Sequence, residues 1–170
     1  MGDNQVDGVD DGDDDTCAGG DLPAAAGLLR RPAMRVRSEI LAALRDAGYD
    51  DILPGHLGVF QWPGPDGQRP GVLAVRNQAS KQAMNHLLRQ LETGGYLVRK
   101  NRPGDGRTRV VRLTERGWSV VEVIRKTVDE IENEWAAALG EPTYAELRRA
   151  LVGLESLLER FPHVSSRAVS

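Results

Sequence analysis

Basic side chains far outnumber acidic ones around a turn-forming cluster near the middle of the chain. Two short β-prone runs, 96–101 and 109–113, flank this turn, so the sequence predicts a hairpin with a projecting tip. Guanidinium and ammonium groups in such excess suit the phosphates of a nucleic acid, although a merely solvated turn stays open as the alternative. The spacing lets Asp105 pair with Arg107 or Arg109, which leaves another guanidinium for a narrow minor groove. The basic residues of the hairpin are Arg99, Lys100, Arg102, Arg107, Arg109 and Arg112.

A second polar set precedes the hairpin, on a predicted helix over 80–93 that Ser80 can cap. Apolar residues recur at helical spacing from Met84 to Leu91 and should face a core. The outward residues include amides and a guanidinium, which can make paired hydrogen bonds with adenine and guanine edges. No acidic residue lies between Asp66 and Glu92, whereas a plain solvated face, the alternative, would favour Glu with Lys. The outward set is Lys81, Gln82, Asn85, His86 and Arg89.

These two sets must be held by a short helix, a turn, a longer helix and the hairpin, which is the order of a helix-turn-helix followed by a wing. Over about Leu53 to Gly117 the chain resembles the MarR-type winged-helix transcriptional regulators. In that family an arginine at the wing tip enters the minor groove, so the resemblance implies this role for Arg107, supported by Asp105. The motifs that carry the resemblance are Leu73-Ala74, Ser80-Lys81-Gln82, Leu91-Glu92, Gly95-Tyr96-Leu97-Val98, Asp105-x-Arg107 and Leu113-Thr114-Glu115-x-Gly117, while Asn77-Gln78 stands where the family usually has Leu-Gly.

The formal net charge of −3 hides a strong local asymmetry. Residues 1–21 contain eight Asp and no Lys or Arg, whereas residues 69–116 contain 11 basic and three acidic residues. The basic charge is therefore concentrated where the DNA-binding motifs lie. The first 21 residues have too little apolar content to order themselves and are predicted to be a disordered acidic tail. A solubilising role and a competitive contact with the basic wing are both open for it.

The helices outside 53–117 are predicted to build a dimer. The chain divides into the tail 1–21, an N-terminal helical segment 22–52, the winged helix 53–117, C-terminal helices 118–162 and a flexible tail 163–170. A helix is predicted from Met34 to Ala47, and a long one with Thr114 as its N-terminal cap is predicted to run to about Leu139. In the family such helices interlock with a second subunit, which implies a homodimer on a pseudo-palindromic site. The apolar stripes are Val36, Ile40, Leu41 and Leu44; then Trp118, Val121, Ile124, Val128, Ile131 and Trp135; and finally Leu147, Leu151, Leu154, Leu158 and Phe161.

A small aromatic or phenolic effector is also implied by the resemblance, because such ligands bind between the helical region and the winged helix in the family. Aromatic residues and one histidine lie on the joining segments, including a predicted helix over 54–62. The alternative, which is more usual for such residues, is a place in the apolar core or, for the histidine, a hydrogen-bonded structural role. The candidate effector residues are Tyr49, His56, Phe60, Trp62 and Trp118.

Other classes of function find little support in the sequence. The three histidines are scattered, Cys17 is the single cysteine, and no metal-binding or phosphate-loop motif is present, so neither a cofactor nor an enzyme is expected. No apolar run approaches the length of a membrane span or forms a signal peptide, which predicts a cytoplasmic protein. The sequence thus predicts a mainly α fold with a small β wing and a sequence-specific regulator of transcription, with repression the expected sign of control. The alternative is a winged helix used for protein interaction or non-specific architectural DNA binding.

Overall fold

A computed structural model describes residues 24–61, 64, 67–102 and 105–160, with backbone alone for 102, 105–108 and 159–160. The predicted acidic tail, Trp62, Phe161 and the tail 163–170 lie outside the described residues. In chain order the elements are α1 (Ala25–Asp46), a 3₁₀ turn (Pro54–His56), α2 (Leu57–Phe60), α3 (Pro70–Arg76), α4 (Lys81–Thr93), β1 (Leu97–Arg102), β2 (Asp105–Leu113), α5 (Glu115–Leu139) and α6 (Glu141–Arg160). The predicted fold class, mainly α with a small antiparallel wing, is confirmed.

The core of the winged helix forms around the apolar stripe of α4. Met84, Leu88 and Leu91 are buried, as their spacing predicted, and Leu87 packs partly buried against the same cluster. Leu73 and Ala74 of α3 meet them from one side, while Tyr96 and Leu97 close the cluster at the start of β1. Burial of this stripe fixes the rotation of α4, so its polar residues must face outward.

The wing is an antiparallel hairpin in which Leu97 pairs with Leu113 and Asn101 pairs with Arg109. Gln68 forms an isolated antiparallel bridge to β2, because its backbone N–H and carbonyl exchange hydrogen bonds of 3.0 and 2.8 Å with Val111. The turn is shorter than the predicted 102–107 cluster. The pair Asn101–Arg109 is followed by the pair Arg102–Asp105, so β1 advances by one residue where β2 advances by four. Residues 105–107 therefore belong to the strand and not to the turn. Strand pairing with an irregular register therefore overrides the local turn preference of Gly106 and its neighbours.

The Leu113-Thr114-Glu115-x-Gly117 motif joins the wing to the long helix. Thr114 caps α5 by accepting a hydrogen bond from the Gly117 backbone N–H at 3.2 Å, and its hydroxyl donates to the Gly95 carbonyl at 2.6 Å. A Cβ on Gly117 would lie 2.1 Å from the Tyr96 carbonyl oxygen. Only glycine permits this approach, so the motif fixes where α5 leaves the wing.

Two predicted helix boundaries were wrong. Helix α1 begins at Ala25 and continues through Pro32, instead of beginning at Met34. A proline inside a helix costs stability, but residues 24–35 are all exposed, so water can satisfy the carbonyl that loses its partner. The predicted helix over 54–62 is a 3₁₀ turn followed by the four-residue α2.

The buried face of α5 also differs from the predicted stripe. Val121 and Ile131 are buried as expected, but Trp118 is 39% exposed, whereas Val120 and Thr127 are buried. The close approach at Gly117 sets the rotation of the first turn and places Val120 towards the core. Packing at the helix start therefore decided which of two adjacent apolar faces is covered.

Candidate nucleic-acid interface

The turn between α3 and α4 is built by two polar residues. Asn77 ends α3 and its side-chain amide donates to the Leu73 carbonyl at 2.8 Å and the Gly58 carbonyl at 3.4 Å. Gln78 follows with φ of +50°, the only positive φ among the described residues other than glycine. Glycine adopts this left-handed conformation most easily, which explains why glycine is usual at this position in the family that the chain resembles. The helix-turn-helix geometry thus forms without the Leu-Gly pair.

Helix α4 begins with Ser80 as its cap, as predicted, since its Oγ accepts from the Ala83 backbone N–H at 3.1 Å. Pro70 likewise occupies the start of α3. Four of the five predicted base-facing or phosphate-facing side chains on α4 are exposed, and Asn85 is half-buried. The exposed ones are Lys81, Gln82, His86 and Arg89.

A polar groove of about 800 Å³ separates the outer face of α4 from the hairpin. It brings together residues from three elements that are far apart along the chain. Three arginines and three amides supply many hydrogen-bond donors, and Glu92 is its one acidic side chain. The groove is lined by Gln82, Asn85, Arg89, Glu92, Arg99, Asn101 and Arg109.

Arg99 lies deeper in this groove than the other predicted phosphate contacts. Its side chain is 22% exposed, and its Nε lies 3.2 Å from a carboxylate oxygen of Glu92. Its Nη1 donates a hydrogen bond to Asn85 Oδ1 at 3.3 Å. Lys100 and Arg109, in contrast, are exposed on the two strands of the hairpin. Sequence reasoning had treated these three cations as equivalent.

The remaining predicted wing residues lie on the hairpin near its tip. Arg102 ends β1, and Asp105 and Arg107 open β2, so their backbones project beyond the groove on the same hairpin. Their side chains are outside the described part of the chain. The roles predicted for them, minor-groove entry by Arg107 and support by Asp105, remain predictions.

The candidate effector residues that the structure describes lie in different surroundings. Phe60 is buried and Tyr49 is half-buried, and both rings contact Tyr96 edge to face with centroids 6.1 and 6.2 Å away. His56 is buried; its Nδ1 accepts from the Leu53 backbone N–H at 3.1 Å, so Nε2 carries the proton offered to Gln90. Trp118 lies exposed near the wing. The described members therefore divide between core packing, a structural hydrogen bond and the surface.

A cluster that sequence reasoning missed connects the winged helix to the long helices. The hydroxyl of Tyr96 donates to Asp51 and accepts from Arg116 Nη2 at 2.8 Å. The Arg116 guanidinium also lies 4.6 Å from the Tyr96 ring centroid and 5.7 Å from that of Tyr49. Burial and the Asp51 acceptor raise the pKa of Tyr96, which keeps its proton on the hydroxyl. Arg116 occupies the variable position of the Leu113–Gly117 motif. The sequence therefore showed that a cation stands there but not that it contacts Tyr96.

Other kinds of site were sought in the described residues. No three of their His, Cys, Asp or Glu side chains come together in an arrangement suited to a metal ion. Within the same residues, no helix combines the length and apolar character needed to cross a membrane.

Comparison with known proteins agrees with the geometry of the helix-turn-helix and wing. No protein-family model matches the chain. The HTH-type transcriptional repressor Rv2887 of Mycobacterium tuberculosis is 30% identical over 129 residues, which cover 76% of this chain and 91% of the repressor. The crystal structure of that MarR family protein with salicylic acid matches with a TM-score of 0.58 and 30% identity, over 79% of this chain and 98% of the other.

A more distant structure has the same fold. FabT from Streptococcus pneumoniae, solved in complex with DNA, matches with a TM-score of 0.67 at 18% identity, over 80% of this chain and 96% of FabT. The sequence identity to the mycobacterial repressor and its coverage of both chains show the family. This chain belongs to the MarR family of winged-helix transcriptional regulators.

Proposed function

We propose that this protein is a sequence-specific transcriptional repressor that binds double-stranded DNA as a homodimer. The observation that carries the proposal is the exposed polar face of α4 beside a basic hairpin, with the apolar face of α4 locked into the core. A helix held in this way can enter the major groove while the wing follows the backbone. Its mycobacterial relative is named as a repressor, which supports the same sign of control here.

The homodimer is supported by apolar residues that a single chain leaves uncovered. Helix α6 exposes Leu151 by 39%, Leu154 by 41% and Leu158 by 65%, and the first half of α1 exposes Leu28 by 54%. Contiguous apolar faces of this kind mark an association surface. A two-fold dimer would present two α4 helices to half-sites about one helical turn apart, at roughly 34–36 Å.

The roles proposed for the interface residues follow from their positions on α4 and the hairpin. Gln82, Asn85 and Arg89 contact base edges, with His86 beside them, while Lys81, Lys100, Arg102 and Arg109 contact phosphates. Arg107 enters the minor groove with Asp105 as its support. The protein acts by binding, without catalysis, and does so in the cytoplasm, where its DNA target lies.

An aromatic effector belongs to the same proposal. The relative that is 30% identical was solved with salicylic acid, which supports a small aromatic acid as the ligand class. The test is a thermal-shift series with salicylate, because a ligand at 100 times its Kd stabilises a protein by about 2.7 kcal/mol. An unchanged Tm across the series would contradict this part of the proposal and leave DNA binding untouched.

DNA binding is tested by fluorescence anisotropy on the intergenic DNA upstream of the protein's own gene and on a scrambled duplex of equal length. We expect tighter binding to the upstream DNA and a steep loss of affinity with salt. Arg89→Ala should weaken binding, whereas the matched control Arg125→Ala on the exposed outer face of α5 should not. Equal affinity for both duplexes would indicate architectural binding, and no binding at low salt would indicate a protein-interaction module.

A further inference from the structure

The hairpin holds one amide of α4 in a fixed orientation. Arg99 Nη1 lies 3.3 Å from the side-chain oxygen of Asn85. A guanidinium has donors and no acceptor, so the atom of the amide that faces it must be the oxygen. The Nδ2 group of Asn85 must then point away from this guanidinium. Asn85 lines the groove and is half-buried, so its amide lies at the surface that would meet DNA.

Arg99 is itself held from a second side. Glu92 Oε2 lies 3.2 Å from Nε as an ion pair. Both Nε and Nη2 are buried, and neither makes a hydrogen bond within the described part of the chain. The third nitrogen, Nη1, donates one of its two N–H groups to Asn85. Two of the three guanidinium nitrogens are therefore turned into the protein, which makes Arg99 a poorer phosphate contact than the exposed Lys100.

We propose that Arg99 is a positioning residue that makes Asn85 a hydrogen-bond donor to DNA. This inference rests on the proposed function and concerns which base pair is read. Arg99 engages one of the two lone pairs of the Asn85 oxygen, so the amide keeps two N–H donors and one acceptor site for a base edge. Because the contact fixes which end of the amide is the nitrogen, these groups can meet a base edge in one arrangement only. Asn85 should therefore prefer one base at the position that it contacts.

The test is selection of preferred sites by the full-length protein from duplexes randomised across each half-site. The wild type should show one base preference per half-site at the position that Asn85 contacts. Asn85→Ala should abolish the preference at this position, and Arg99→Met should abolish it too while the salt dependence of binding stays the same. The matched control is Lys100→Met on the same strand, which should lower the salt slope by about one per subunit and leave the preference intact.

A third variant separates orientation from folding. Asn85→Asp keeps an acceptor for Arg99 but has no N–H, so it should melt no lower than wild type and still lose the wild-type base preference. An unchanged preference in Arg99→Met or in Asn85→Asp would overturn the proposal. So would a lowered salt slope in Arg99→Met, because that result would make Arg99 a phosphate contact.

The contact can also be tested without DNA. If Arg99 holds Asn85 in the free protein, the double variant Asn85→Ala/Arg99→Met should lose less Tm than the two single variants together. Additive losses would overturn the proposal even if the protein binds DNA. A wild-type protein with no sequence preference, but with this coupling, would instead contradict the proposed function.

Discussion

The winged helix and the terminal helices complete their cores in opposite ways. In the winged helix, Tyr96, Leu88 and Leu97 are each 1% exposed or less, and their partners all come from the same chain. In α6, Tyr144 is the one buried residue among the side chains described, while the leucine stripe remains open. The first half of α1 is exposed in the same way. The winged helix therefore completes its core within one chain, whereas the terminal helices leave an apolar stripe for the proposed second subunit.

The largest effect should come from placing a charge on the open stripe. Leu154→Glu should convert the dimer to a monomer, because a carboxylate cannot be buried unpaired against a second subunit. Affinity for a two-half-site operator should fall by roughly 10²–10⁴-fold, since each half-site would then bind independently. Sedimentation velocity and anisotropy measure the two quantities. Ser156→Glu, on the opposite face of α6, is the control, and equal losses in both variants would contradict a dimer through this stripe.

A cavity in the winged helix should come next and act within one subunit. Leu88 is 0% exposed, so Leu88→Ala should lower the free energy of unfolding by about 2–5 kcal/mol. Val75→Ala on α3, where the side chain is 75% exposed, should change it by no more than about 0.5 kcal/mol. Denaturant unfolding gives both values. A loss in Leu88→Ala that vanished at high protein concentration would show that this core, too, depends on the partner.

The connection between the wing and α5 should lose stability when the N-terminal cap of α5, Thr114, is removed. Thr114→Ala removes the acceptor for the Gly117 N–H and the donor to Gly95, and should cost about 1–2 kcal/mol of stability. Ser119→Ala is matched to it, because Ser119 lies in the same helix, exposed, and donates to the Glu115 carbonyl. Thermal unfolding of both variants measures the difference. Equal melting temperatures would mean that the cap does not hold α5 to the wing.

The smallest effect should be a difference in how steeply stability declines with pH, confined to the alkaline range. Burial and Asp51 raise the pKa of Tyr96 in the folded protein above its ordinary value of 10.0. Stability from the protonated hydroxyl is therefore present below pH 10 and lost as pH rises from there towards the folded pKa. Tyr96→Phe should show a shallower decline than wild type between pH 9 and 11.5. Parallel curves in denaturant titrations would contradict this assignment.

Much of the site followed from local patterns. The Ser80 and Thr114 caps, the apolar stripe of α4 and the end of α5 at Leu139 depend on neighbouring residues, and the structure confirms each of them. Predictions failed where a distant segment decided the outcome. Trp118 was expected to be covered, but the contact of Gly117 with the Tyr96 carbonyl rotates the first turn of α5 and covers Val120.

The sequence by itself determined the order of helices and strands, the family resemblance and the concentration of basic charge, because periodicity, caps and charge are properties of neighbours along the chain. Only the tertiary structure decided which of these cations are exposed. Arg99 and Lys100 are adjacent in sequence, yet one is held between Asn85 and Glu92 and the other is exposed. Successive residues of a strand point to opposite faces, and what each face meets depends on a helix packed from elsewhere in the chain.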